Sequence, residues 1–207
     1  MLPVLPDFLP GRLALQRGSP RDYVELEAFH YLPKRPATWA QVWTIRYHEK
    51  PAELRSAANW GRGNGSRVVA VGVLSYPVPS SHARERHLGR EQFTRRENLV
   101  FANQHIRTIS RVVVHPQFRS LVLSTILVRC LCENCPTRYV ESIAMMARAH
   151  PFFEKAGMRR IDPVSPDEPV YFVFDREEGL ATESQRTQRI QDKSDSCHAQ
   201  HARGQVI

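Results

Sequence analysis

At 207 residues the chain has the length of one ordinary domain with extensions, and it holds no run of about 20 apolar residues that would cross a membrane as a helix. The opening residues MLPVLPDFLPGR lack the basic start and continuous apolar stretch of a secretory signal, and four cysteines without a regular framework fit a reducing compartment, so a cytoplasmic protein is expected. The net charge of +8 sits within residues 1–175, because the five basic residues beyond them are matched by five acidic ones, and a basic domain suits a polyanionic ligand, either a coenzyme's phosphates or a nucleic acid.

Three prolines in residues 1–10 predict an extended arm. Leu13-Ala14-Leu15 predicts a first strand, and Ser19-Pro20 a helix start that carries Tyr23, Leu26, Glu27 and His30 on one face to about Tyr31. Residues 42–48 alternate as a half-buried strand. Residues 50–66, with Gly61, Gly63, Asn64 and Gly65, read as a mobile connection, and the valine-rich stretch 67–76 as a strand closed by Pro77 and Pro79.

Residues 81–104 form an arginine-rich, helical insertion, longer than a hairpin turn. Its Arg84, Arg86, Arg90, Arg95 and Arg96 face Glu85, Glu91 and Glu97, which is the pattern of a solvated helix with internal ion pairs or of a surface for nucleic acid or substrate. A strand over 108–114 and a helix over 121–133 follow, then a strand over 139–143 and a short helix over 152–156 that Gly157 ends with a left-handed cap. A last strand covers 170–174, and the polar tail 176–207 has no apolar period and is expected to be disordered. The order β-α-β-β-(insertion)-β-α-β-α-β predicts an α/β domain over 11–175, with a mixed central sheet flanked by helices and a helical insertion before the fourth strand.

The stretch RTISRVVVHPQFRSLVLS, residues 107–124, is the most informative. An apolar strand ending in Val112-Val113-Val114 stops at His115-Pro116, a loop carries Arg119, and a helix begins at once. A strand that feeds a helix N-terminus through a short loop makes an anion site, because the first N–H groups and the positive end of the helix dipole point into the turn. Together with Pro151-Phe152-Phe153-Glu154-Lys155-Ala156-Gly157-Met158, this resembles the GNAT superfamily of N-acetyltransferases, over about residues 11–175.

The resemblance implies that acetyl-coenzyme A is the acyl donor, that an unidentified amine is the acceptor, and that Val114, Arg119, Ser120, Leu121, Val122, Leu123 and Ser124 hold the coenzyme's pyrophosphate. The family loop reads roughly Arg/Gln-x-x-Gly-x-Gly/Ala, whereas this one is Arg119-Ser120-Leu121-Val122-Leu123-Ser124, with no glycine. Val122 stands where the family's second glycine lets the backbone approach the phosphates, and its stiff β-branched side chain is expected to weaken or abolish binding. Ser120 and Ser124 are small enough to donate to a phosphate. The tyrosine that serves many members as general acid is replaced by Phe153, which has no proton to give. The resemblance further implies an ABC-type ATPase as a partner, after a branch of the superfamily with similar wording, although this chain has no Gly-x-x-x-x-Gly-Lys loop of its own.

Glu141 lies in mid-strand, where a carboxylate is out of place unless it faces a cleft or a charge. It is either the base that deprotonates the amine or the partner of an arginine. Tyr139, His105, His115 and His150 take structural roles in this reading. Cys130, Cys132 and Cys135 spell C-x-C-x-x-C, but two of them on different faces of one helix fit buried thiols, and no metal is expected. Trp39, Trp43 and Tyr47 line either an acceptor cleft or the core. Two functions from different classes follow: an acyltransferase, or a GNAT-fold module that binds or regulates without catalysis.

Overall fold

The computed structural model describes residues 11–31, 34–49, 66–144 and 151–178. The expected arm over 1–10, the connection over 50–65, His150 and the tail from 179 lie outside the described residues. The chain divides into two units, Met1–Phe174 and Asp175–Ile207.

Seven strands form one sheet in the order β1-β2-β3-β4-β5-β7-β6. They are β1 (Arg12–Arg17), β2 (Gln41–His48), β3 (Ser66–Ser75), β4 (Ile106–Val114), β5 (Tyr139–Ala144), β6 (Arg159–Ile161) and β7 (Val170–Asp175). The first four run antiparallel to their neighbours, β4 and β5 are parallel, and β6 and β7 are antiparallel. The helices are α1 (Pro20–Val24), α2 (His82–His87), α3 (Arg95–His105), α4 (Leu123–Glu133) and α5 (Phe152–Lys155). The expected architecture, a mixed central sheet flanked by helices with a helical insertion before the fourth strand, is the one observed.

The centre of the sheet is apolar on both faces, since Val68, Val69, Ala70, Val71 and Val73 of β3 are all buried. On one face lies α4, whose Leu123, Ile126, Leu127, Val128, Cys130 and Leu131 join Trp43, Ile45, Tyr47, Val140 and Phe172 in the main core. Gly72 admits α4 to this face, because a Cβ there would stand 2.8 Å from Leu131 Cδ1. Tyr23 and Leu26 cover Val42, Val71, Val73 and Val113 on the other face. Trp43 and Tyr47 therefore belong to the main core, while Trp39 packs edge-on to Tyr23 in the cluster on the other face, with ring centroids 5.5 Å apart.

Three differences from the sequence reading have local causes. The first helix stops at Val24, and a 3₁₀ turn over Glu27–Phe29 replaces its second half. Bonds from Leu26 N–H to Tyr23, Phe29 N–H to Leu26 and His30 N–H to Glu27 have the tighter 3₁₀ spacing, which keeps Tyr23 and Leu26 on one buried edge. The insertion is two helices, broken at Leu88-Gly89, where Gly89 is left-handed. Strand β6 went unread because it is three residues long with Arg159 and Arg160 exposed, and so carries no alternation.

Helix α1 starts on a short network. The Asp22 carboxylate accepts the Ser19 N–H at 2.6 Å and the Ser19 hydroxyl at 2.9 Å, and pairs with Arg46 of β2. Burial works against the Asp22 charge, yet the bonds from Ser19 and the Arg46 guanidinium outweigh it and hold the carboxyl below its ordinary 3.8. Asp22→Asn is expected to lower the unfolding free energy by about 1–2 kcal/mol at neutral pH. A lowered folded-state pKa means that this contribution is complete above the unfolded pKa and is lost as pH falls through the folded one. Urea unfolding at pH 7 and again at about pH 3 should show the gap between the two proteins closing in acid.

Candidate functional site

Among the described residues, strands β4 and β5 pair through Ile106↔Tyr139, Arg107↔Val140 and Thr108↔Glu141 and no further, although β4 runs on to Val114 and β5 to Ala144. One step on, the Ser142 hydroxyl still donates to the Ile109 carbonyl at 3.4 Å, and beyond it the two parallel strands no longer pair, which leaves a fork in mid-sheet. The β3–β4 register steps from Val73↔Arg111 to Leu74↔Ile109, so Ser110 is an extra residue bulged out of β4 at the vertex of the fork. A bulge of this kind breaks alternation and re-aims the strand.

The upper arm of the fork leads to the loop singled out from the sequence. After Val114 the chain makes a 3₁₀ turn, Pro116–Leu121, before α4 begins at Leu123, two residues later than expected. His115 Nδ1 accepts the Gln117 N–H at 3.4 Å. The buried Phe118 side chain anchors the turn against Tyr47, with centroids 5.7 Å apart. Val122 then takes φ 52°, ψ 19°, and is the one non-glycine residue in the left-handed region among the described residues.

For a β-branched side chain this is a strained position, worth about 1–3 kcal/mol. The loop thus keeps the backbone that a glycine would give it, while the Val122 side chain stands out into solvent, 59% exposed. Leu121 and Leu123 turn inward, the latter fully buried, and Ser120 is exposed. Ser124 lies in the first turn of α4, half-buried.

The loop is electropositive. Arg119 is exposed, and its Nε donates only to the Val114 carbonyl, at 3.4 Å. Arg67 stacks over Tyr47 and Phe118, 5.2 and 5.4 Å from their centroids. Burial, and then the charges of Arg67 and Arg119, hold the His115 pKa below its ordinary value, so its imidazole is neutral at pH 7.

Below the vertex, on the face away from α4, Glu141 is fully buried. Its Oε1 accepts Arg84 Nη2 at 2.8 Å and the Thr108 hydroxyl at 2.7 Å. Its Oε2 accepts Arg84 Nε at 2.8 Å and the Tyr171 hydroxyl at 3.0 Å. Four bonds occupy the lone pairs of both oxygens. Of the two readings left open for Glu141, the structure contains the arginine partner, and these four bonds engage both carboxylate oxygens.

Burial opposes the Arg84 charge, but the bonds and charge of Glu141 prevail and raise its pKa. Burial and the same carboxylate push the Tyr171 phenol up. Of the other insertion arginines, Arg86 pairs with Glu168 at 3.0 Å outside the insertion, while Arg90 stays within it, 4.1 Å from the centroids of both Phe93 and Phe101. For Arg84 and Arg86 a tertiary partner takes the place of the internal ion pair expected there.

Phe153 is buried and stacks on Phe172 with centroids 4.9 Å apart. Gly157 closes α5 with φ 99°, the left-handed cap expected of it. Cys130, Cys132 and Cys135 are all buried, and burial pushes the Cys130 thiol up to about 12 and that of Cys132 well above its usual range. Tyr139 is half-buried near Phe101, and His105 packs on the same ring. Sequence reasoning missed Phe118, Arg84 and Tyr171; for Phe118 an apolar residue inside a polar loop was the available signal.

No protein-family model matches the chain, and no curated protein matches it. Among solved structures it is similar to the aminoglycoside acetyltransferase AAC(6')-Ib in complex with coenzyme A and kanamycin, at 17% identity over 83% of this chain and 99% of that one, with a TM-score of 0.47. It is similar to the ribosomal-protein-S18-alanine N-acetyltransferase from Escherichia coli, at 10% identity over 78% and 91%, with a TM-score of 0.41. An acetyltransferase of the GNAT family from Staphylococcus aureus Mu50 is similar at 10% identity over 80% and 99%, with a TM-score of 0.45. Each is a similarity of general arrangement and assigns no substrate.

Two outcomes check this geometry. Arg84→Met or Glu141→Leu alone leaves a buried charge unpaired and should cost about 3–5 kcal/mol, whereas the double variant should recover most of that loss in denaturant unfolding. Val122→Gly relieves the left-handed strain and should raise the melting temperature by about 2–4 °C in calorimetry.

Proposed function

We propose that this protein is a GNAT-like acyltransferase that binds acetyl-coenzyme A at the fork and transfers the acetyl group to an amine. The observation that carries the reading is the fork itself, a parallel strand pair that separates after Thr108↔Glu141 with one arm leading into an electropositive loop and the N-terminus of α4. The open strand edge offers backbone groups to an extended pantetheine chain, and the loop offers helix N–H groups to its phosphates. Val114, the backbone of residues 119–124 and the Arg119 guanidinium are the binding groups in this proposal, with the Ser120 and Ser124 hydroxyls beside them.

The chemistry asks little of side chains. The amine nitrogen attacks the thioester carbonyl, the C–N bond forms, and the C–S bond breaks. The thiolate departs, and the amine's proton goes to it or to solvent. The step gains most from holding amine and thioester together and from backbone N–H groups aimed at the developing oxyanion. Neither the saturated Glu141 nor the stacked Phe153 supplies an acid or base, and the transfer does not require one of them.

The exposed Val122 side chain favours a second reading, in which the loop no longer admits the coenzyme and the domain binds or regulates a partner. A nucleic-acid role for the insertion is weakened, because Arg84, Arg86 and Arg90 are engaged within the protein. The ABC-type ATPase partner is implied by the sequence resemblance alone.

Calorimetric titration with acetyl-coenzyme A separates the two main readings. Binding in the micromolar range is expected, weakened about tenfold by Arg119→Ala, which loses one charge-assisted contact, and tightened by Val122→Gly. Absence of binding at millimolar acetyl-coenzyme A, in the Val122→Gly variant as well, would establish the non-catalytic reading.

A further inference from the structure

The bulge at Ser110 has a chemical consequence on the face away from α4. It sets two consecutive side chains toward that face: Ser110 Oγ lies 2.7 Å from Ser75 Oγ, and Arg111 Nη2 donates to the Lys34 carbonyl at 2.8 Å. Arg111 sits on the part of β4 that β5 has already left, so it belongs to the open part of the fork. Its Nη1 donates to the Ser110 carbonyl at 2.6 Å, and its Nε is buried without an acceptor.

No carboxylate among the described residues pairs with it. The acids on that face are taken by other arginines: Asp22 by Arg46, Glu27 by Arg35 and Glu141 by Arg84. A half-buried guanidinium that, among the described residues, is held by carbonyls alone is suited to a carboxylate or phosphate. The same fixed cation would repel a polycationic acceptor.

We propose that Arg111 selects acceptors whose amine carries an anionic group close by, a carboxylate or a phosphate. This rests on the acyltransferase reading and assigns the substrate class of that site. The anion meets the guanidinium, and the amine is left over the vertex of the fork. A neighbouring cation also disfavours the protonated form of the amine, which leaves more of the nucleophilic form where no side-chain base is free.

The test titrates O-phosphoethanolamine, γ-aminobutyrate, ethanolamine and spermidine into the protein by calorimetry, with and without saturating coenzyme A. At least one anionic amine should bind about tenfold more tightly than ethanolamine and spermidine, and the better of the two distinguishes phosphate from carboxylate. Arg111→Gln should erase the preference by weakening the anionic amines, leaving ethanolamine little changed and relieving the repulsion of spermidine, and Arg111→Lys should restore part of it. If Arg111 only ties residue 34 to β4, all four amines will weaken together in Arg111→Gln. That result overturns the proposal, as does equal or tighter binding of spermidine, or no binding of either anion. Failure of coenzyme A alone to bind refutes the acyltransferase reading, and the titrations without it still report whether Arg111 selects anions.

Discussion

A buried ion pair fixes the geometry on which this molecule depends. Taking Arg84 and Glu141 out of water carries a desolvation cost that Coulomb attraction alone does not reliably offset, so such a pair persists where hydrogen bonds satisfy what remains. Here they do. Glu141 has four bonds, and Arg84 spends its third nitrogen on the Val78 carbonyl at 3.0 Å. One carboxylate thereby joins α2, the segment after β3, β4 through Thr108 and β7 through Tyr171. The knot stands at the last paired residues of β4 and β5. A pair of parallel strands that simply frayed would close and reopen, whereas strands pinned at one register and bulged at the next diverge from a fixed point.

The insertion acquires its meaning from the same contact. Read as a string of alternating charges, residues 81–104 describe a helix solvated on all sides. In the fold Arg84 and Arg86 take partners outside the insertion, up to 82 positions away in Arg86–Glu168. A nearby opposite charge on an exposed helix is worth a few tenths of a kcal/mol, while a buried, bidentate partner organises the surrounding structure. Local spacing could not reveal this, because the deciding partner is supplied by the sheet.

What was legible in the sequence follows the same division. Periodicity disclosed most of the strands and α4, since burial of one face imposes its pattern on successive residues. Turn chemistry disclosed the Ser19-Pro20 helix start and the Gly157 cap. The loop over 115–124 was legible as a place, and Glu141 as an anomaly with two resolutions. Three things were hidden. The left-handed turn at Val122 contradicts the residue's own preference and is imposed from both sides, by Phe118 and Leu121 packed inward before it and by buried Leu123 after it. The bulge at Ser110 is a property of register between two strands. The partner of Glu141 lies 57 residues away.

These hidden features bear directly on how departures from the resembled wording are weighed in the proposed reading. Phe153 where a tyrosine would serve as acid, and Val122 where a glycine would free the backbone, each look disabling when counted as letters. In the fold, Phe153 is a core ring stacked on Phe172, and the left-handed backbone at Val122 survives without its glycine. In the proposed reading, acyl transfer from a thioester draws chiefly on position and backbone polarity, and the elements that would provide them are the fork, the bulge and the helix terminus. All three are set by packing and by the Arg84–Glu141 knot, not by the side chains at 122 and 153. Under that proposal valine adds a hydrocarbon group beside the coenzyme's phosphates, and its effect would fall on coenzyme affinity before it fell on chemistry.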